Sequence, residues 1–338
     1  MKKGIVFILF GIFFFYGCKT TPGALDEENI VNITSEYLIL DCFVAKPYSL
    51  VNMDTLLIFY DRYDGKMFSI YDIKNDRCLG RVVSEGHGAG EVTAPVDILS
   101  FPQQGLFYFT ERHTGNLNLF DIQEGGIQEK IHFESHATNL QKMGNYFVGL
   151  GYYDNGCLGI YDQKGRLIRT DGIYPFRGER MERLAASLIY QAVLCASPNS
   201  DFFATGNVLC DHLAFYRVTE NEALLLRQYQ SVDAKAKFVG SKYGGSLRVD
   251  EDCIINYTWA YGTDNYCYML YSGKKYKENE NMDWGNFIRV FDWNGNYIKT
   301  YKTDRDILTF CVDKVDQCIY AVAEDDSTGG YSIVKMKI

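Results

Sequence analysis

Short runs of alternating apolar and polar residues recur along the chain, and one phrase returns within them. Each copy is a strand-like run, and most copies end in an aspartate that is followed by a polar turn. The copies lie at 68–72, 117–121, 158–162, 213–217, 287–292 and 331–335. A strand-turn-strand unit that repeats every ~40–50 residues is typical of a β-propeller, in which each repeat forms one four-stranded blade. The pattern therefore predicts an all-β, six-bladed β-propeller.

Further strand-like runs flank each copy and complete the predicted blades. Second strands are predicted at 55–60, 106–110, 146–150, 201–206, 253–259 and 318–323. Innermost strands are predicted at 96–101, 192–197 and 308–312. Outer strands are predicted at 78–83, 127–133, 167–171, 224–229 and 297–302. The last copy has no outer strand, because the sequence ends at Ile338.

The N-terminal run at about 36–44 precedes the first complete blade and has no blade of its own. Pairing this run with the C-terminal blade would cover two open strand edges, which otherwise invite aggregation. We therefore expect a single propeller domain over 36–338, whose ring is closed by the N-terminal strand in the C-terminal blade.

Two insertions interrupt the blades. The first, 172–190, contains the best helical stretch of the chain at 179–186, and the second is a polar excursion at 272–285. Long loops in compact domains are often functional, although a solvated loop is the commoner outcome.

The first residues resemble an export signal. Lys2 and Lys3 precede an apolar run, 4–17, that is shorter than the ~20 residues of a membrane span. Gly17-Cys18 then resembles a lipobox, which predicts a signal peptide at 1–17, a lipidated Cys18 and a polar tether at 18–35. An ordinary cleavage site near Cys18 is the alternative. The expected location is the cell envelope, on its periplasmic side or at the cell surface.

The charge balance argues against nucleic acid as a partner. Loss of two lysines with the signal lowers the net charge from −9 to about −11. An acidic body has no electrostatic footprint for phosphates. The ten cysteines include no C-x-x-C pair and mostly lie in apolar runs. Buried free thiols are therefore expected, with one or two disulfides as the alternative in an exported protein.

A glycine-rich segment between the first two predicted blades reads Gly86-His87-Gly88-Ala89-Gly90-Glu91. Glycines that cradle a phosphate precede a helix, whereas residues 92–95 lead into a strand. A structural turn is expected instead, with Glu91 as a candidate to bond the loop backbone.

This segment is similar to one in the TolB-like six-bladed propeller lipoproteins of Bacteroidetes, with Ala89 where proline is usual. The runs at 268–273, 288–295 and 319–321 add to the resemblance, which spans about 36–338. It implies a lipid-anchored propeller and names no reaction.

One face of a propeller gathers the turns between second and third strands and the connections between blades. On that face the candidate ligand-binding residues are Arg62, Tyr63, Glu85, His87, Glu91, Arg112, His113, Tyr152, Tyr153, Asp154, His212, Trp259 and Tyr261. Aromatic rings among carboxylates and arginines suit a sugar or a peptide, because binding sites are built on loops held by a rigid scaffold. An ordinary polar rim is the alternative.

The favoured function is a non-enzymatic binding or scaffold protein for a glycan, a peptide or an envelope protein, without a cofactor. A metal-dependent hydrolase or lyase that uses the axial channel is the alternative, and a structural member of an envelope complex is a third. The spacing of His87, His113 and His212 matches no metal motif, and no G-x-S-x-G elbow occurs. The sequence therefore assigns no catalytic residue and no metal ligand.

Overall fold

The computed structural model describes residues 25, 28–93, 96–99, 105–111, 114–134, 137–153, 156–172, 174–175, 183–220, 222–241, 244–276 and 281–338. The predicted signal peptide and Cys18 lie outside these residues. No helix among the described residues is long and apolar enough to cross a membrane.

The described chain starts with two short strands, β1 (Ile30–Ile33) and β2 (Ser35–Tyr37), and continues as successive antiparallel sheets. Blade 1 contains β3 (Leu50–Met53), β4 (Leu56–Tyr63), β5 (Lys66–Asp72) and β6 (Arg77–Ser84). Blade 2 contains β7 (Val96–Ile98), β8 (Leu106–Glu111), β9 (Asn116–Asp121) and β10 (Gly126–His132). Blade 3 contains β11 (Asn139–Met143), β12 (Tyr146–Tyr153), β13 (Gly156–Tyr161) and β14 (Leu167–Asp171).

A helix, α1 (Arg183–Ile189), precedes blade 4, and a two-stranded hairpin follows it. Blade 4 contains β15 (Ala192–Ala196), β16 (Phe202–Asn207), β17 (His212–Val218) and β18 (Ala223–Gln230). The hairpin contains β19 (Ala236–Ser241) and β20 (Gly244–Val249). The predicted helix at 179–186 is thus described only from residue 183 and extends further, to Ile189. The hairpin was not predicted.

The last two blades share one long strand. Blade 5 contains β21 (Tyr257–Gly262), β22 (Tyr266–Tyr271), β23 (Gly285–Asp292) and the first part of β24 (Tyr297–Val312). The second part of β24 pairs with β25 (Cys318–Glu324), which pairs with β26 (Tyr331–Lys337), and these strands belong to blade 6. The fold is therefore the all-β propeller that the repeats predict. Innermost strands of neighbouring blades are in contact where β11 meets β15, β15 meets β21 and β21 meets β24, and β24 also contacts β3.

The second strand that was predicted at 253–259 is wrong. Residues 257–262 form the innermost strand of blade 5, and β22 is the second strand. Cys253 and Ile255 lie in the connection between blades 4 and 5. Their apolar side chains are buried there against Leu209 and against Leu247 of β20.

The N-terminal residues pair with the outer edges of blades 5 and 6. β1 runs parallel to β24, and β2 runs antiparallel to β26, with Tyr37 opposite Val334. β2 is therefore the fourth strand of blade 6. It is shorter than the predicted run at 36–44, since residues 38–44 form no strand. That this pairing closes the ring stays a prediction.

The repeated phrase is the third strand of each blade, and its final aspartate builds the next turn. Asp72 Oδ1 accepts hydrogen bonds from the backbone N–H groups of Lys74 and Asn75. The same role is played by Asp121, Asp162 and Asp292. An aspartate in such an Asx turn replaces backbone partners that the turn cannot supply. Local chemistry therefore explains why the phrase recurs.

Glycine allows the closest approach between blades 4 and 5. A Cβ atom on Gly262 of β21 would lie 2.2 Å from the carbonyl oxygen of Ala196 on β15. This partner is a backbone atom and cannot rotate away. The absence of a side chain at Gly262 therefore sets the distance between these two inner strands.

We expect Gly262→Ala to lower the free energy of unfolding by about 2 kcal/mol or more, because overpacking forces two backbones apart. Urea unfolding of the full chain measures the effect. Gly126→Ala in β10 is the matched control, since a Cβ there meets no atom within 4 Å, and we expect it to change stability by at most about 0.5 kcal/mol. Equal stability of the two variants would contradict the close approach.

Candidate functional site

The insertions collect on one face of the propeller. The connection from blade 3 to blade 4 carries α1, and the connection from blade 4 to blade 5 carries the β19–β20 hairpin. The polar excursion joins β22 to β23. In an antiparallel blade these connections leave from the same end as the turn between second and third strands. We call this end the insertion face, and α1 packs there against β12, β19 and β20.

A cavity of about 410 Å³ lies under α1, between blades 3 and 4. It is lined by Tyr48, Thr138, Asn139, Leu150, Gly151, Cys157, Leu158, Tyr174, Pro175, Leu184, Ser187, Leu188, Tyr190, Gln191, Ala192, Thr205, Asn207, His212 and Tyr216. Most of the side chains from the blades are buried, whereas Gln191 is exposed and marks the rim. The volume is within the range of small-molecule sites.

The helix forms the roof of this cavity because of its residue spacing. Leu184, Ser187 and Leu188 line the cavity, and positions i, i+3 and i+4 share one side of a helix. Ala186 and Ile189 are buried instead in a cluster with apolar residues of the β19–β20 hairpin. The hairpin thus holds α1 over the cavity.

The described lining contains aromatic, aliphatic and uncharged polar side chains only. The rings come from Tyr48, Tyr174, Tyr190 and Tyr216. Hydroxyl and amide groups come from Thr138, Asn139, Ser187, Gln191, Thr205 and Asn207. Aspartate, glutamate, lysine and arginine are absent from these described lining residues, although they make up 23% of the chain. The cavity therefore offers hydrogen bonds without a fixed charge.

His212 is the titratable imidazole of this lining, and its surroundings keep it neutral. Burial lowers the pKa of His212 from 6.5 to about 4. Asn207 Nδ2 donates to the carbonyl oxygen of Tyr190 at 2.7 Å, which turns Asn207 Oδ1 towards His212 Nδ1 at 2.9 Å. The neutral ring therefore carries its proton on Nδ1, and Nε2 faces the side-chain amide of Gln228 at 3.5 Å.

Two tyrosine rings of the lining are held in place by their hydroxyl groups. The Tyr174 hydroxyl donates to the carbonyl oxygen of Gly151 at 3.1 Å, and the Tyr190 hydroxyl donates to Asp233 Oδ1 at 3.2 Å. Burial raises the pKa of Tyr190 well above its usual value, so the phenol stays protonated. The rings are thus fixed before any ligand binds.

A smaller cavity of about 100 Å³ adjoins the first one at the axis. The two share Tyr48, Thr138 and Asn139 in their linings. Innermost strands supply most of the remainder, including Asp97 of β7 and Trp259 of β21. The Trp259 indole N–H donates to the carbonyl oxygen of Phe310 at 2.8 Å, which fixes the ring.

The structure separates the residues that the sequence placed on one binding face. His212 lines the larger cavity and Trp259 lines the axial one. Tyr153 and Tyr261 are buried in the core instead. The Tyr153 hydroxyl bonds the Tyr161 hydroxyl at 2.7 Å. These two tyrosines therefore stabilise blades and have little surface to offer a ligand.

Other predicted residues lie at the rim of blade 1. Arg62 and Glu85 form an exposed ion pair at 2.6 Å, and the Tyr63 ring packs on Phe43. His87 is exposed. Arg112, His113, Asp154 and the side chain of Tyr152 lie outside the description.

Glu91 braces the glycine-rich turn. Its Oε2 accepts the N–H of Gly88 at 2.8 Å, and the turn is clamped by a bridge between Glu85 and Val92. The predictions of a structural turn and of a glutamate bonded to its backbone are confirmed.

Several lining residues escaped the sequence analysis. Tyr174, Tyr190 and Gln191 lie in or beside the insertion that was noted at 172–190, so its length was the available signal. Asn207 and Thr205 are on a core strand, and alternation alone does not show that an inward side chain faces a cavity.

In the described part of the chain, three potential metal ligands converge at Asp41, Cys42 and Cys78, with ligand atoms within 4.8 Å of one another. Cys78 belongs to β6, the outer strand of blade 1, and the group is therefore remote from the axis. A hydrolase that uses the axial channel would need such a group of ligands in the channel. Among the described residues no second group of potential metal ligands occurs.

Comparisons with known proteins agree with the fold. A family model described as TolB-like 6-blade propeller-like matches residues 26–315. A member of the DUF4221 family from Bacteroides vulgatus is similar at 13% identity, with a TM-score of 0.59 and coverage of 93% of this chain and 95% of the other. BF0058 of Bacteroides fragilis, which carries the name of an exported protein, is similar at 12% identity, with a TM-score of 0.55 and coverage of 91% and 98%. Among curated proteins, none matches the sequence.

The low pKa of His212 predicts a pH dependence of stability. Between pH 6.5 and about 4 the unfolded chain binds a proton at His212 that the folded chain does not. The free energy of unfolding therefore falls as the pH is lowered through this window. From pH 7 to pH 4.5 we expect a loss of about 2 kcal/mol from this group.

Urea unfolding at both pH values, in the wild type and in His212→Gln, isolates the contribution. Other groups titrate equally in the two proteins, so the variant should lose less stability on acidification by that amount. Identical losses would show that His212 is not held neutral by burial.

Proposed function

Because the chain belongs to the TolB-like family of six-bladed propellers, whose fold alone specifies no reaction, we propose a function from its own cavity. The protein is a non-enzymatic binding protein of the cell envelope, and it holds a neutral glycan in the cavity under α1. The observation that carries the proposal is that the described residues of the cavity lining are uncharged and offer hydrogen bonds.

The lining fits the chemistry of a sugar. A buried charge without a partner is costly, so an ionised ligand would gain little from the described lining. A sugar presents hydroxyl groups, which both donate and accept hydrogen bonds. Amide groups of Asn139 and Gln191 can do the same. The tyrosine rings offer apolar surfaces for the C–H face of a pyranose.

The same lining supports binding rather than hydrolysis. Glycoside hydrolysis by the usual route requires two carboxyl groups, one on each side of the scissile bond. Metal-assisted hydrolysis requires oxygen or imidazole ligands that converge on one ion. The described residues of the larger cavity include no carboxylate, and His212 bonds Asn207. A bound glycan would therefore be retained and not cleaved.

Placement in the envelope rests on the N-terminal sequence and on one relative. The basic and apolar leader, Gly17-Cys18 and the polar tether fit a lipoprotein. The similarity to BF0058 supports export. Lipid anchorage would keep the cavity near cell-surface or periplasmic glycans, where a binding protein can use it.

Neutral oligosaccharides should raise the thermal unfolding temperature of the full chain, since a ligand that binds only the folded state stabilises it. Uronic-acid and sulfated analogues of the same size should not. Leu188→Trp fills the cavity from α1, and Asn139→Ala removes an amide from its lining. We expect each to weaken the affinity at least about tenfold.

Arg62→Ala is the matched control, because Arg62 is exposed and lies at the rim of blade 1. Calorimetric titration of the four proteins with the saccharide that gives the largest shift measures the affinities. A preference for charged saccharides, or full affinity in Leu188→Trp, would contradict the proposal, as would the lack of any response to the whole panel.

Cys18→Ser should release the protein from membranes, because the thioether-linked lipid is lost with the sulfur. Fractionation of cells after metabolic labelling with a fatty acid measures both lipid and location. Cys42→Ser is the control and should remain labelled and membrane-bound. Label that persists in Cys18→Ser would place the anchor elsewhere.

A further inference from the structure

Two buried thiols meet at the boundary between blades 4 and 5. Cys195 is on β15 and Cys267 is on β22, and neither residue has any exposed surface. Their Sγ atoms lie 3.0 Å apart, although the residues are 72 positions apart in the sequence. The fold itself therefore brings this pair together.

The surroundings of the pair are apolar. Its cluster includes Leu213, Phe215 and Met269, and burial raises the pKa of Cys267 well above the usual thiol value. Among the described residues no third ligand joins the two sulfurs in a metal-binding group. Two chemical states are thus open to the pair: two thiols or one disulfide.

We infer that Cys195 and Cys267 form a disulfide that links blade 4 to blade 5. The inference rests on the envelope placement proposed above, because disulfides persist in oxidising compartments. Two S–H bonds break and one S–S bond forms. The two electrons and two protons pass to a disulfide-bearing oxidant of the envelope, which is reduced to two thiols.

The two sulfurs are already near bonding distance. A disulfide has an S–S length of about 2.05 Å, so the sulfurs need to approach by about 1 Å. Gly262 is the β21 partner of Cys267, and Ala196 follows Cys195 in β15. Since the Gly262 position lies against the Ala196 carbonyl, β15, which carries Cys195, contacts β21, which pairs with the Cys267 strand β22.

The test uses the full chain, isolated from the envelope fraction with thiols trapped by N-ethylmaleimide. Trypsin should release peptides 184–217 and 249–274, and we expect mass spectrometry to find them linked, and separated by a reductant. These peptides also contain Cys210 and Cys253. Cys210→Ala is therefore the matched control, which should keep the linkage, whereas Cys195→Ala should abolish it.

A second readout follows stability. Reduction before a thermal scan should lower the unfolding temperature of the wild type by about 5 °C, as a cross-link that closes a long loop stabilises the folded state, and should leave Cys195→Ala unchanged. Maleimide on both Cys195 and Cys267 in the unfolded wild type would overturn the inference. A linkage that survives Cys195→Ala would also overturn it and assign the bond to Cys210.

Discussion

The second and third strands of the blades are largely buried on both faces, and this constraint governs the rest of the structure. In β5 and β17 almost every side chain is buried, whichever way it points. Such a sheet has no core of its own and becomes stable only between two neighbours. Blades 4 and 5 therefore approach as closely as Gly262 allows, and the N-terminal strands cover the outer edges of blades 5 and 6.

The same constraint leaves the ends of the blades as the place for function. Strands committed to packing cannot change without a cost in stability, whereas connections on the insertion face can lengthen freely. Between blades 3 and 4 the connection became a helix, and the hairpin after blade 4 supports it. The cavity under α1 thus lies between added segments and the ends of the blades that carry them.

Strands and turns that form through local hydrogen bonds could be predicted from the sequence, whereas contacts between distant segments could not. The third strands and their aspartate turns follow from period-two alternation and Asx chemistry, as at Asp72 and Asp292. The braced turn at Glu91 was also predictable from its glycines. The second strand of blade 5 was predicted at the wrong place, because the apolar residues Cys253 and Ile255 are buried against the β19–β20 hairpin and belong to no blade strand. The cavity could not be predicted from the sequence. Whether a tyrosine is buried in the core, as Tyr153 is, or lines a cavity, as Tyr190 does, depends on how α1 packs on blades 3 and 4.

Hydrogen–deuterium exchange with and without a neutral oligosaccharide tests most directly that the cavity under α1 is the binding site. Ligand contact slows local opening, so protection reports where the ligand sits. The prediction is slower exchange in α1 and in the adjoining residues 138–151 and 190–192, with residues 62–66 and 85–92 at the rim of blade 1 unchanged. Protection at that rim, with none in α1, would contradict it.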